Sequence, residues 1–355
     1  MVAPGATTSP AGRPGRRGLR LACVLAALAV VVVLGLVVGP LPLSLAEVWD
    51  GLLSRGPRMN QLIIRDVRLP RTVTAVLVGS ALGVSGLLMQ TLFRNPLADP
   101  QVLGVSSGAS FGVAVVVLSA GGAPGTAQTF TSGLGLASDV LITLAAGAGA
   151  AVVMTLVLVA GRWLRSATTL LLLGVMVGYL VSSGVTILLA AASPERVQQF
   201  TLWGFGSYRG VTWDNLRILA PVILVAAAGA WLLAKPLNAL LLGERYARTM
   251  GIDVRATRLR IILVTAALAG VSTAFCGPIA FLGIAVPHVC RGLFASSNHR
   301  VLLPACLVVG GTVALLADIC SQLPGENVLP LNAVNAAFGA PVVIFVLLSS
   351  RRRLT

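Results

Sequence analysis

Long apolar stretches, separated by short polar and mostly basic links, run along almost the whole chain. A helix that crosses the hydrocarbon core of a bilayer needs about 20 mainly apolar residues. About ten segments meet that length, near residues 21–39, 70–90, 101–119, 138–160, 168–190, 214–234, 258–276, 279–295, 301–320 and 331–348. The pattern predicts an all-α polytopic membrane protein, with one transmembrane domain over residues 19–350. Residues 1–18, rich in Pro, Gly, Ser and Arg, predict a disordered tail. The apolar core from Leu21 to Gly39 is longer than the roughly 7–15 residues of a secretory signal. A retained first helix is therefore expected.

One stretch departs from plain hydrophobicity. Residues Arg68 to Gly108 form a glycine-studded apolar run, a proline-pinned polar turn over Arg94–Pro100, and a second glycine-rich run. Small residues let membrane helices approach closely, and Gly79–Gly86 is the expected place for such packing. A polar turn at that depth is tolerated at a pore or a surface.

Composition agrees with the pattern: 56% of residues are hydrophobic and 10% charged, and the mean hydropathy is +0.93. The formal charge of +15 raises nucleic acid as a partner, so its distribution matters. Arg13, Arg16, Arg17 and Arg20 precede the first span, and Arg351, Arg352 and Arg353 follow the last. Arg162 and Arg165, then Lys235 through Arg260, then Arg291 and Arg300 fill alternate links. Ten spans with both termini in the cytoplasm put all of these on the cytoplasmic side, as the positive-inside rule requires. The charge orients the chain and implies no nucleic acid. Arg55, Arg58, Arg65, Arg68 and Arg71 fall on the other side. Two readings stand for them: arginines snorkelling at the outer interface, or contacts to an acidic partner docked there.

Catalytic and metal chemistry have little to work with. Cys23, Cys276, Cys290, Cys306 and Cys320 form no CxxC pair and sit in or beside apolar runs, which reads as inert buried thiols. His288 and His299 have no acidic residue at ligand spacing. No GxxxxGK[ST] loop occurs, so the chain has no phosphate-binding loop for ATP. Asp318 is the chief intramembrane acid, while Asp139 and Asp214 read as span-edge caps. The scarcity of mid-membrane carboxylates weighs against an ion-gradient-driven secondary transporter, the main rival reading. A membrane-embedded enzyme would need clustered acids or histidines at one interface, and none is seen.

The link from Lys235 to Arg260 is too polar to span. Leu237, Leu240, Leu241, Ala247 and Met250 form an apolar face, and Gly243 and Gly251 allow bends on either side of Glu244–Met250. Two short helices are expected there, either as a docking platform for a soluble partner or as an ordinary surface pair.

These residues carry a resemblance. RLPR at Arg68–Arg71, the glycine-rich run ending at Gln90, NPLADP at Asn95–Pro100 and LGVSSGA at Leu103–Ala109 come first. LLLG at Leu171–Gly174, WGFGS at Trp203–Ser207, LLGERYARTMGI at Leu241–Ile252 and GPIAFLGIAVPHVCR at Gly277–Arg291 follow. HRVLLP at His299–Pro304, LLAD at Leu315–Asp318 and FGAPV at Phe338–Val342 complete the series. In this order they resemble the permease subunits of ATP-driven importers for iron-siderophores, haem and cobalamin, the type II ABC importer class. The resemblance runs from about the first span to Leu348.

It implies a ten-helix permease that pairs with a second permease subunit, as homodimer or related heterodimer, around one pathway in a prokaryotic plasma membrane. ATP and magnesium are bound by partner ATPase subunits, not by this chain, and an external binding protein delivers the cargo. An iron-siderophore is the expected cargo, with haem and cobalamin as alternatives. The coupling segment maps to 237–251, with Leu242, Gly243, Glu244, Ala247, Met250 and Gly251 at its ATPase contact. Asn95, Leu97, Ala167 and Leu171 fall at the cytoplasmic gate. Arg68 falls at an outward-facing docking arginine, and Gln322 stands where many members carry a second one. The usual Glu-Leu-Pro-Val-Gly of the last span is replaced by Asn327–Asn332.

Overall fold

The computed structural model describes residues 14–119, 136–164, 166–323 and 328–351. Helix α1 (Pro14–Val37) is followed by short helices α2 (Leu45–Leu52) and α3 (Arg58–Leu62). A π-helical turn over Ile63–Arg68 then runs into α4 (Leu69–Phe93). A 3-10 turn at Pro100–Leu103 leads to α5 (Val105–Ser119), α6 (Leu136–Trp163), α7 (Ala167–Ala190) and α8 (Pro194–Gly204). Then come α9 (Trp213–Leu232), α10 (Ala234–Leu242), α11 (Glu244–Thr249), α12 (Val254–Cys276), α13 (Leu282–Phe294), α14 (His299–Gln322) and α15 (Leu331–Arg351). Each expected apolar segment coincides with one helix, namely α1, α4–α7, α9 and α12–α15. Of the expected tail, residues 1–13 lie outside the described residues, and Pro14–Gly18 already belong to α1.

Hydrogen bonds between distant links define two ends of the bundle. At one, here the near end, Arg20 Nη1 donates to Leu293 O at 2.8 Å and Arg94 Nη2 to Leu240 O at 2.8 Å. At the far end, Arg68 Nη1 donates to Leu36 O at 2.7 Å and Trp213 Nε1 to Arg65 O at 2.8 Å. Local chemistry sets many helix starts. Ser44 and Glu47 form a capping box on α2, which holds the Glu47 carboxyl below its usual range. Asp253 Oδ1 accepts from Ala256 N at 3.0 Å to start α12, and Asn298 Oδ1 from Arg300 N at 2.9 Å to start α14.

Helix α4 is the hub, buried on nearly every side from Pro70 to Leu92. Its glycines explain the depth of burial. A side chain at Gly79 would collide with the backbone of Gly310 in α14, and one at Gly86 with the backbone of Gly283 in α13. Gly83 lies against Val286 and the carbonyl of Cys306. Gly79–Gly86 therefore does what small residues do in a membrane, bringing backbones into direct contact. Helices α5 and α6 meet the same way, Gly108 and Gly112 against Gly149 and Ala145. Helix α4 ends where Arg94 turns left-handed, at φ 49°, ahead of Asn95-Pro96.

One irregular segment runs inside the bundle. Helix α12 stops at Gly277 (φ 72°), and α13 begins only after Phe281 (φ 69°), level with Gly86. Non-helical backbone at that depth needs partners within the protein. Gln101 Nε2 donates to Ile279 O at 2.5 Å, and Asn332 Oδ1 accepts from Ala280 N at 3.0 Å. Asn332 Nδ2 also donates to Pro278 O at 2.7 Å and to Gly204 O at 3.1 Å. One amide thus joins α8, the irregular segment and α15.

Candidate functional site

The near end carries an open cleft of about 970 Å³ where three parts of the chain meet. Phe93 and Arg94 come from the end of α4, Ser166 and Thr168 from the start of α7, and Leu242 through Thr249 from the α10–α11 corner. The corner exists because Gly243 takes φ 123°, which an L side chain rarely adopts. A second glycine, Gly251 at φ 77°, releases the chain after Met250. The two short helices expected from the sequence are α10 and α11.

Within the corner the residues divide into anchors and exposed apolar groups. Ala247 is fully buried. Glu244 pairs with Arg258 at 2.9 Å and with Arg248 at 3.5 Å, and Arg258 Nη1 donates to Leu164 O at 3.2 Å. Glu244 therefore ties α11 to α12 and to the end of α6. Arg94 holds the other side through Leu240 O. Leu242, Tyr246 and Met250, by contrast, are 66%, 50% and 57% exposed. Large apolar side chains exposed together at a polar bundle end mark an interaction surface.

The other near-end residues lie close by. Asn95 Oδ1 accepts from Leu97 N at 2.9 Å, an Asx turn that shapes the link after α4. Leu97 is partly exposed. Ala167 opens α7 behind its cap Ser166, and Leu171 sits one turn further on, half-buried. The cleft walls include Arg94, Ser166 and Thr168 rather than Asn95, Leu97 or Leu171.

At the far end two expectations need correction. Arg68 does not face outward. It is 3% exposed, and its guanidinium donates to the carbonyls of Leu36, Val37 and Leu41. Carbonyls left over at the end of α1 attract a cation that can satisfy several at once. Gln322 is 2% exposed. Its Oε1 accepts from Arg71 Nη1 at 2.6 Å, and its Nε2 donates to Asp318 O at 2.9 Å. Arg71 Nε lies 3.0 Å from Asp318 Oδ2 as a buried ion pair, off the line of a hydrogen bond. The exposed arginines of this end include Arg55, Arg58 and Arg65.

Several organising residues have roles that sequence reasoning did not assign. Arg94, Arg258 and Asn332 each act through side-chain bonds to distant carbonyls or carboxylates, which spacing in sequence does not reveal. His299, which opens the HRVLLP motif, joins Thr91 Oγ1 and Asn238 Oδ1, each at 2.8 Å, linking α14 to α4 and α10. Among the described residues, no group of three His, Cys, Asp or Glu is placed to hold a metal.

The model of the FecCD transport family matches residues 27–349. The chain belongs to the FecCD transport family. The vitamin B12 import permease BtuC of Klebsiella pneumoniae is 38% identical to this FecCD-family chain over 296 residues, 83% of the chain and 85% of that relative. BtuC of Salmonella typhi is 37% identical over 320 residues, 88% and 91% of the two chains. A solved structure of an ABC transporter assigned to the metal-chelate type, in an inward-facing conformation, superposes with a TM-score of 0.80 at 26% identity. It covers 94% of this chain and 99% of that one. The FecCD-family chain is thus a multi-span permease subunit of an ABC importer, with the type II permease fold.

Proposed function

We propose that the chain lines the membrane pathway for a metal chelate, a corrinoid or a ferric siderophore, and that ATP hydrolysis on a partner subunit drives passage. The observation that carries this is the near-end cleft: the α10–α11 corner, the end of α4 just before Asn95 and the start of α7 share one set of walls. Force applied to the corner reaches both gate elements without a long relay. Leu242, Tyr246 and Met250 are the surface for the ATPase, and Gly243, Glu244, Ala247 and Gly251 hold that surface in shape. Asn95, Leu97, Ala167 and Leu171 form the cytoplasmic gate, which makes the near end cytoplasmic along with both termini. An external binding protein docks at the far end, where Arg55, Arg58 and Arg65 are the available cations in place of Arg68. The vitamin B12 role of the two BtuC relatives supports the corrinoid arm.

The test uses the full chain with its ATPase and binding protein in proteoliposomes, supplied in turn with cobalamin and a ferric siderophore. Uptake of one of the two should require ATP. Leu242→Asp and Met250→Asp, both on exposed side chains, should abolish ATPase association while the permease stays folded. ATP-independent uptake driven by an ion gradient, or full ATPase association in both variants, would overturn the proposal.

A further inference from the structure

The far half of the bundle holds a second cavity, unrelated to the cleft described above. It is an apolar slot of about 410 Å³ between α13, α14 and α15, within the range of roughly 300–1,000 Å³ typical of small-molecule sites. Phe281, Ala285 and Val289 line it from α13 and its N-cap, Leu316 from α14, and Asn335 and Phe338 from α15. Val289 stands eight positions after Phe281, so the slot runs roughly 12 Å along the helices at about 1.5 Å per residue.

Its polarity is graded. Asn335 is 4% exposed, and its amide nitrogen has no hydrogen-bond partner among the described residues. It sits four residues into α15, about 6 Å from the first residue of that helix. Deeper in, the walls are entirely apolar, ending at Val289 and Val313. An unpaired buried amide is costly, and neutral contacts that satisfy it are correspondingly favoured. Among the described residues no charged side chain lines the slot, so an ionised fatty-acid head finds no counter-charge there, whereas an ester carbonyl finds a neutral donor. A phospholipid has the same order, with ester oxygens toward the interface and the chain inward.

We propose that this slot binds one acyl chain of a membrane phospholipid, with the ester carbonyl on the Asn335 amide. The lipid then braces α13, the helix whose Gly283 touches α4. Phe338 and Leu316, 57% and 41% exposed, flank the slot where the chain enters.

The experiment reconstitutes the full chain in phosphatidylethanolamine containing a small fraction of phosphatidylethanolamine with a mid-chain diazirine. Photolysis and peptide mapping follow. Label should concentrate on residues 281–289 and 313–320. Asn335→Ala should lower it about tenfold at limiting probe, the effect of one buried hydrogen bond. Ala285→Leu should block it by filling the slot, and Asn335→Ala, which adds no volume, keeps the test valid if that variant fails to fold. Label spread evenly over exposed helix faces, including Leu25–Leu34 of α1, and unchanged in Asn335→Ala would overturn the proposal. So would disulfide linkage of two Phe338→Cys copies that excludes the probe, since a second copy would then cover the slot.

Discussion

Replacing Asp318 with leucine leaves the Arg71 guanidinium inside the protein without its counter-charge. The pair is closed on both sides, each side chain 4% exposed, so solvent does not screen the loss. Removing one partner of such a pair costs about 3–5 kcal/mol, because a buried charge is left uncompensated. Arg71 keeps Gln322 Oε1 at 2.6 Å and Gly35 O at 3.3 Å, which places Asp318→Leu at the lower end, about 3 kcal/mol. Asp318→Asn keeps the shape and an acceptor and should cost about half of that, since only the charge-assisted part is lost. The double variant Arg71→Leu with Asp318→Leu removes both charges. Its cost should fall at least about 2 kcal/mol short of the sum of the singles. Denaturation in mixed micelles, followed by circular dichroism, reads the wild type, the double variant and the three singles, Arg71→Leu included. Additive losses, or an Asp318→Leu cost under about 1 kcal/mol, would refute the reasoning.

Three further outcomes follow from the packing and the far-end geometry. Gly86→Val should cost more than about 3 kcal/mol or prevent folding, since the added atoms meet the Gly283 backbone; Gly270→Ala, with open space at that point, should gain about 0.5–1 kcal/mol. Thermal melts of the purified variants compare them. Arg68→Leu should lower stability by about 3 kcal/mol through the carbonyls it leaves unpaired, with binding-protein affinity unchanged in the folded fraction. Weaker binding at unchanged stability would return Arg68 to the docking surface.

Much of the bundle was legible in the sequence because membrane helices announce themselves one at a time. Apolar length fixed α4, α7, α12 and α14 to within a few residues, and Gly243 and Gly251 marked the α10–α11 corner through backbone geometry alone. Helices α2, α3 and α8 were not foreseen, since they lie in polar links where periodicity is short and weak. The burial of Arg68 and Gln322 was not legible for a different reason. A motif says that an arginine stands at 68, but whether its guanidinium faces water or the end of α1 depends on where Leu36, Val37 and Leu41 arrive in space. Gln322 is similar: its partners, Arg71 and Asp318, lie on two different helices. Asn332 shows the converse, a departure from the family pattern whose side chain joins three segments that no local reading connects.

Helix α4 bears on both ends of the molecule at once. Arg71, near its start, is locked to α14, and Arg94, just past its end, is bonded to the corner beside Gly243. These residues are 23 positions apart, about 35 Å at 1.5 Å per residue. The helix between them is gripped by backbone contact at Gly79 and Gly86, so it has little freedom to bend or twist. Any axial shift of α4 would therefore have to carry the Gly283 and Gly310 backbones with it, so the two ends of the bundle are tied through one stiff strut.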